Sequence, residues 1–195
     1  RRASVAPLIF EAKSWEHGVL IGAGMASEKT AAAAGKVGEV RRDPMAMKPF
    51  CGYNYGDYWG YWLSFAKRAK NPPHIFHVNW FRKGADGKFL WPGFGENLRV
   101  LAWALERCAG KGEADETAIG FVPTSTALDL DGLSVDEATM RQLLDVNTEE
   151  WREEYEDIAE YLNTYGDRLP QRLAHEREQV SAALEAAPDK KAARA

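Results

Sequence analysis

Three observations predict an α/β fold that ends in a helical cap. Short apolar or alternating runs bounded by turn residues recur through residues 1–126, as strands do. Between them lie segments with helical apolar spacing, such as YGDYWGYWLSF and LRVLAWALERC. Beyond residue 126 the character changes to long, charged, amphipathic stretches without strand signals.

The chain has 195 residues, 45% hydrophobic and 28% charged, enough for one sizeable core with an appendage. No apolar run is long enough to cross a bilayer, and no apolar h-region follows the two opening arginines, so neither a membrane span nor a signal peptide is expected. Two cysteines, Cys51 and Cys108, are too few for a disulfide scaffold or a thiolate metal site, and a cytoplasmic, reducing setting is the simpler expectation. A net charge of -4 argues against a nucleic-acid partner.

In chain order, residues 7–12 (PLIFEA) and 17–25 (HGVLIGAGM) are expected to be two strands joined by a short turn, the second covered on both faces. Gly22-Ala23-Gly24 begins a dinucleotide fingerprint, but Ser27 stands in the place of its third glycine; Glu28-Lys29-Thr30 resembles the end of a phosphate loop, but Glu28 occupies a required glycine position. Residues 27–38 (SEKTAAAAGKVG) are alanine-rich and short, a marginal helix with little to bury. Two readings are open there, a mobile lid or a plain connecting turn. Residues 55–69 are expected to be an aromatic-rich helix and 73–81 a strand. On that strand His74 and His77 point to opposite faces, so a shared metal is not expected. A helix over 96–108 and a strand over 117–123 follow. Three helices complete the chain, with Ser134 and Asn147 as N-caps and Gly166 as a stop, before a fraying tail. The acids from Glu149 to Glu160 are expected to form a solvated face.

The most informative stretch is HVNWFRKGADGKFLWPGFGENLR, residues 77–99. Trp80, Phe81, Phe89, Trp91 and Phe94 fall within fifteen residues, around Asp86-Gly87, which suits a tight hairpin turn. Gly93-Phe94-Gly95-Glu96-Asn97 then leads into a helix, bringing backbone N–H groups and a carboxamide to its start. The aromatics are either ordinary core or the walls of a slot for a flat, polar-edged ring. Stacking a base on such faces contributes about 1–3 kcal/mol per base, and an amide beside it can donate or accept.

Across residues 19–101 the sequence resembles the GTP-dependent phosphoenolpyruvate carboxykinase family in its bacterial form. The matching pieces are GMASEKTAAAAGKVGEVRRDPMAMKPFCGYNYGDYWGYWL and HIFHVNWFRKGADGKFLWPGFGENLRVL, with weaker similarity from Arg1 to the helical end. The resemblance implies a mixed-sheet, carboxykinase-like nucleotide-binding domain. It also implies interconversion of oxaloacetate and phosphoenolpyruvate, with GTP as phosphoryl donor, GDP as product, loss of CO2, and a divalent metal, usually Mn2+. A full-length enzyme of this kind is expected to act as a monomer.

By the same resemblance, Phe81, Phe89 and Phe94 enclose guanine with Trp80 beside them, and Gly95, Glu96 and Asn97 close the base site. Arg1 matches an arginine that contacts the nucleotide phosphates. The lid comprises Ser27, Glu28, Lys29, Thr30, Ala31, Ala32, Ala33, Ala34, Gly35 and Lys36. The family's phosphate loop, its metal-binding Lys, His and Asp, and its oxaloacetate-binding arginine fall before Arg1. The chain is therefore expected to be the C-terminal portion of a longer enzyme, without catalytic or metal-binding residues of its own, and inactive in isolation. Its expected organisation is a nucleotide-binding α/β portion over 1–126, with the lid at 27–38 and the base pocket at 80–97, then C-terminal helices over 127–187 and a tail over 188–195. A stand-alone purine-nucleotide-binding module without catalysis is the alternative, and an NAD(P) oxidoreductase is disfavoured by its broken fingerprint.

Overall fold

The computed structural model describes residues 5–28 and 40–188. They form two compact units that do not follow chain order: residues 5–13 with 74–147 make one, and residues 14–28 and 40–73 with 148–188 make the other.

The first unit is built on a four-stranded sheet in the order β4-β1-β6-β5, where β1 is Ile9–Glu11, β4 Phe76–Val78, β5 Ala114–Thr117 and β6 Gly120–Pro123. All of its described pairings are antiparallel, with Phe10 opposite His77 and Glu11 opposite both Phe76 and Phe121. The expected mixed sheet is thus seen as an antiparallel one. The strand expected over 117–123 is the second arm of a hairpin whose first arm is β5. Gly120, at φ 131°, permits the tight return, and a Cβ there would lie 2.3 Å from the Glu11 carbonyl oxygen.

Helix α3 (Asn97–Cys108) and helix α4 (Glu137–Leu144) contribute to the core of this unit. Leu8, Ile9, Trp91, Val100, Trp103, Leu128, Met140 and Leu143 are buried together. Each such side chain taken from water favours folding by about 1.5–3 kcal/mol. Trp103 satisfies its indole N–H on the Glu113 carbonyl at 2.9 Å. Asp136, rather than Ser134, caps α4, accepting from the Thr139 N–H at 2.7 Å.

The second unit is mainly helical: α1 (Trp15–Ala23), α2 (Tyr55–Phe65), α5 (Thr148–Asn163) and α6 (Gln171–Ala186), with a two-stranded ribbon of β2 (Ala26–Glu28) and β3 (Val40–Arg42). Helix α1 corrects the strand expected over 17–25. Ser14 caps it by accepting from the His17 N–H at 3.0 Å. Trp15, His17, Gly18, Val19, Leu20, Ile21 and Ala23 are all buried, so no polar face marks the helical period. Trp151, Tyr155, Ile158 and Leu162 turn one face of α5 inward. The acids of α5 are mostly exposed as expected, except Glu154, which is 2% exposed and pairs with Arg42 at 2.7 Å. No helix among the described residues is long and apolar enough to cross a membrane.

Candidate functional site

The aromatic stretch follows β4 in the sheet unit. Its bend is closed by Gly87 N–H donating to the Gly84 carbonyl at 3.0 Å and Gly84 N–H to the Lys88 carbonyl at 2.9 Å. Gly87 takes φ 77°, and the Asp86 carboxylate accepts from the Lys88 N–H. Lys83 bridges to Phe89 across the bend, and Leu90 N–H donates to the Arg82 carbonyl at 2.9 Å. The two arms therefore face each other as their spacing predicts.

The rings divide into two sets. Trp91 is 1% exposed and Trp80 packs, half-buried, against the core, with the two indole centroids 6.4 Å apart. Phe81, Phe89 and Phe94 turn outward, 60%, 57% and 94% exposed. All three thus present apolar ring surface to solvent. Phe81 and Phe89 meet edge to face, 5.9 Å between centroids, and the Lys83 ammonium lies 5.4 Å from the Phe89 ring centre. Trp80, expected beside the three phenyl rings, packs against the core instead of turning outward with them.

Past Pro92 the chain turns at Gly93 (φ 111°) into a single 3-10 turn, Phe94–Glu96, which runs into α3. Glu96 N–H donates to the Gly93 carbonyl and Asn97 N–H to the Phe94 carbonyl. The N–H groups of Phe94 and Gly95, first in the turn, have no helical acceptor. Nothing would lie within 4 Å of a Cβ at Gly95. The Glu96 carboxylate is engaged by Arg99 at 2.6 Å. The Asn97 carboxamide accepts from the buried Trp91 indole N–H at 2.9 Å. That bond ties the buried indole to the start of α3.

The other sequence-derived candidates fall elsewhere. Ser27 sits on β2, its hydroxyl donating to the Asp43 carboxylate at 2.7 Å, and Glu28 ends that strand. Arg1 and the lid residues Lys29, Thr30, Ala31, Ala32, Ala33, Ala34, Gly35 and Lys36 lie outside the described residues. Gly22-Ala23-Gly24 closes helix α1 instead of opening a helix after a strand, which removes the context a dinucleotide fingerprint needs. His77 stacks on Phe10, while His74 approaches the Glu11 carboxylate at 2.5 Å. Among the described residues, no group of three or more His, Cys, Asp or Glu side chains is placed to hold a metal ion.

Residues 1–183 match the family model described as the phosphoenolpyruvate carboxykinase C-terminal P-loop domain. The protein named phosphoenolpyruvate carboxykinase [GTP] from Neocallimastix frontalis is 52% identical over 190 residues, covering 96% of this chain and 31% of that protein. Proteins of the same name from Anaeromyxobacter dehalogenans (strain 2CP-1) and Thermoplasma volcanium are 51% and 49% identical, over 91% and 90% of this chain and 30% and 29% of their own lengths. The chain thus spans about a third of the length of the curated relatives it matches.

Proposed function

The chain belongs to the GTP-dependent phosphoenolpyruvate carboxykinase family, and from that premise we propose that it supplies the guanine site of such an enzyme. The reaction is the interconversion of oxaloacetate and phosphoenolpyruvate with GTP, GDP and CO2, in the cytoplasm. The observation that carries this reading is the exposure of Phe81, Phe89 and Phe94, with Asn97 opening α3 three residues after Phe94. Exposed rings can stack on a purine face, and the amide can read its edge.

This chain's own part in the chemistry is binding and orientation. Rings that hold the base fix the far end of the nucleotide. Remote binding energy of that kind can be spent on aligning the γ-phosphate with its acceptor. The Mn2+ implied for the family finds no donor set among the described residues, so no step is assigned to a metal in this chain. Relatives about three times as long favour part of an enzyme over a stand-alone binding module.

The test is kinetic, in the full-length protein. Phe94→Ala and Asn97→Ala are each expected to raise KM for GTP at least tenfold while changing KM for oxaloacetate less than about twofold, since about 1.4 kcal/mol of lost base contact is a factor of ten. Equal loss for both substrates would remove the base-specific role.

A further inference from the structure

We infer that Trp91 is a specificity-determining positioning residue, whose buried indole N–H orients the Asn97 carboxamide so that its amino end is the one offered to the base. This rests on the guanine-site reading above and deepens it. Asn97 by itself does not choose between purines: a free carboxamide turns over at little cost, presenting its oxygen to the adenine amino group or its amino group to the guanine O6. The structure removes that freedom. An indole N–H donates and never accepts, so the group 2.9 Å from Trp91 Nε1 must be the amide oxygen. Trp91 is 1% exposed, lies against Trp80 and belongs to the core cluster of Val100 and Trp103, so an amide turned over would take away the protein acceptor that its N–H has among the described residues. A flipped amide would set two N–H donors against each other and strand the buried one, which makes the observed orientation the stable one.

With its oxygen committed inward, the amide's Nδ2 has no acceptor among the described residues. The end of the amide turned away from the indole is then the donor. The usual two-point pairing of an asparagine with adenine also needs the oxygen, which is held toward the indole with one lone pair already used. A 6-oxo purine offers an acceptor where adenine offers an amino group, and that mismatch is the discrimination. Selection therefore begins one residue beneath the contact, in a side chain that need not touch the nucleotide.

The experiment compares kcat/KM for GTP and for ATP in the full-length enzyme and three variants. Trp91→Phe keeps an aromatic ring and deletes only the donor. It is expected to lower the GTP-to-ATP ratio at least tenfold, mainly through a lower KM for ATP. A purely structural role for Trp91 would depress both nucleotides in proportion and leave the ratio unchanged, which would overturn the inference. Asn97→Asp keeps an acceptor for the indole while replacing the outward donor, so it reads the same point even if Trp91→Phe folds poorly. It is expected to lose at least tenfold in kcat/KM for GTP and less for ATP; GTP use at the wild-type level would also overturn the inference. Phe94→Ala separates the two proposals. A raised KM for both nucleotides upholds the slot, and no change in either would sink the slot and the orientation argument together.

Discussion

Arg99 Nε donates to the Glu96 carboxylate at 2.6 Å, across a single helical turn at the start of α3. The same guanidinium donates from its two outer nitrogens to the Asp129 and Asp131 carbonyls, each at 2.8 Å. Glu96 and the surrounding carboxylates hold the Arg99 pKa above its ordinary value. One planar fork thereby ties the turn bearing Phe94 to a second loop of the same unit. Arg99→Ala is expected to raise KM for GTP about three- to tenfold, because the turn loses its anchor while the rings remain. Arg99→Lys should not restore it, since an ammonium cannot span three acceptors in that geometry. Steady-state kinetics of both variants decide the point.

The two sets of aromatic side chains should separate stability from binding. Phe81 and Phe89 are more than half exposed and meet edge to face, so changing either to alanine is expected to cost only about 0.5–1.5 kcal/mol of unfolding free energy. The same changes should weaken nucleotide binding by about 1–3 kcal/mol for each ring lost from the stack. Trp91→Ala should behave in the opposite sense first, costing about 3–5 kcal/mol of stability through the cavity it leaves. Urea denaturation beside nucleotide titration measures both quantities on the same samples.

Glu11 is a buried carboxylate held from two sides, by Arg107 Nε at 2.6 Å and by the His74 ring at 2.5 Å. Arg107 also donates to the Gly112 carbonyl and lies over the Phe121 ring. Removing the acid leaves a guanidinium, about one-fifth exposed, without its counter-ion. Glu11→Ala is therefore expected to destabilise the sheet unit by about 2–4 kcal/mol, read from the shift of the urea midpoint.

How much of this the sequence disclosed depends on where each residue's partners lie. The base hairpin was legible because Asp86-Gly87 and the flanking rings are neighbours in the chain, and local turn chemistry decides their geometry. Helix α1 was misread because burial on every side erases the polar face that separates helix from covered strand. The β5–β6 return was merged into one strand because Gly120 looks like any glycine until the Glu11 carbonyl is set beside it. Ser134 was expected to cap α4 as a cap-forming residue ahead of an apolar-periodic run, yet Asp136, two residues on, does the capping. The Trp91–Asn97 bond was invisible because both residues already had adequate separate explanations, as core and as base reader.

The glycines near the slot carry a further prediction. Gly93 adopts φ 111°, a strained conformation for any side chain, so Gly93→Ala should cost about 1–3 kcal/mol of stability. Gly95 has no such φ, and a methyl group there would meet nothing within 4 Å. Gly95→Ala is expected to leave the urea midpoint unchanged yet raise KM for GTP several-fold, because in the proposed guanine site the added methyl would stand where the base approaches the backbone. An unchanged KM would place the base away from this turn.

Asp43 contributes to the acid sensitivity of the other unit. Burial alone would raise its pKa, but the Ser27 hydroxyl and the Lys48 N–H donate to the carboxylate at 2.7 and 3.0 Å, and Arg41 and Lys48 are close. The balance leaves its pKa below the ordinary carboxylate value of 3.8. A depressed folded-state pKa means that the unfolded chain takes up the proton first on acidification. The stabilisation is therefore complete above the unfolded value and is lost as pH falls through the lower, folded one. Asp43→Ala should cost about 1–3 kcal/mol at neutral pH, as expected for hydrogen bonds to a charged group. The gap between the variant and the wild type should then narrow steadily below about pH 4. Urea unfolding at a series of pH values tests this, and a gap that stays constant down to about pH 2 would mean that the carboxylate charge contributes nothing.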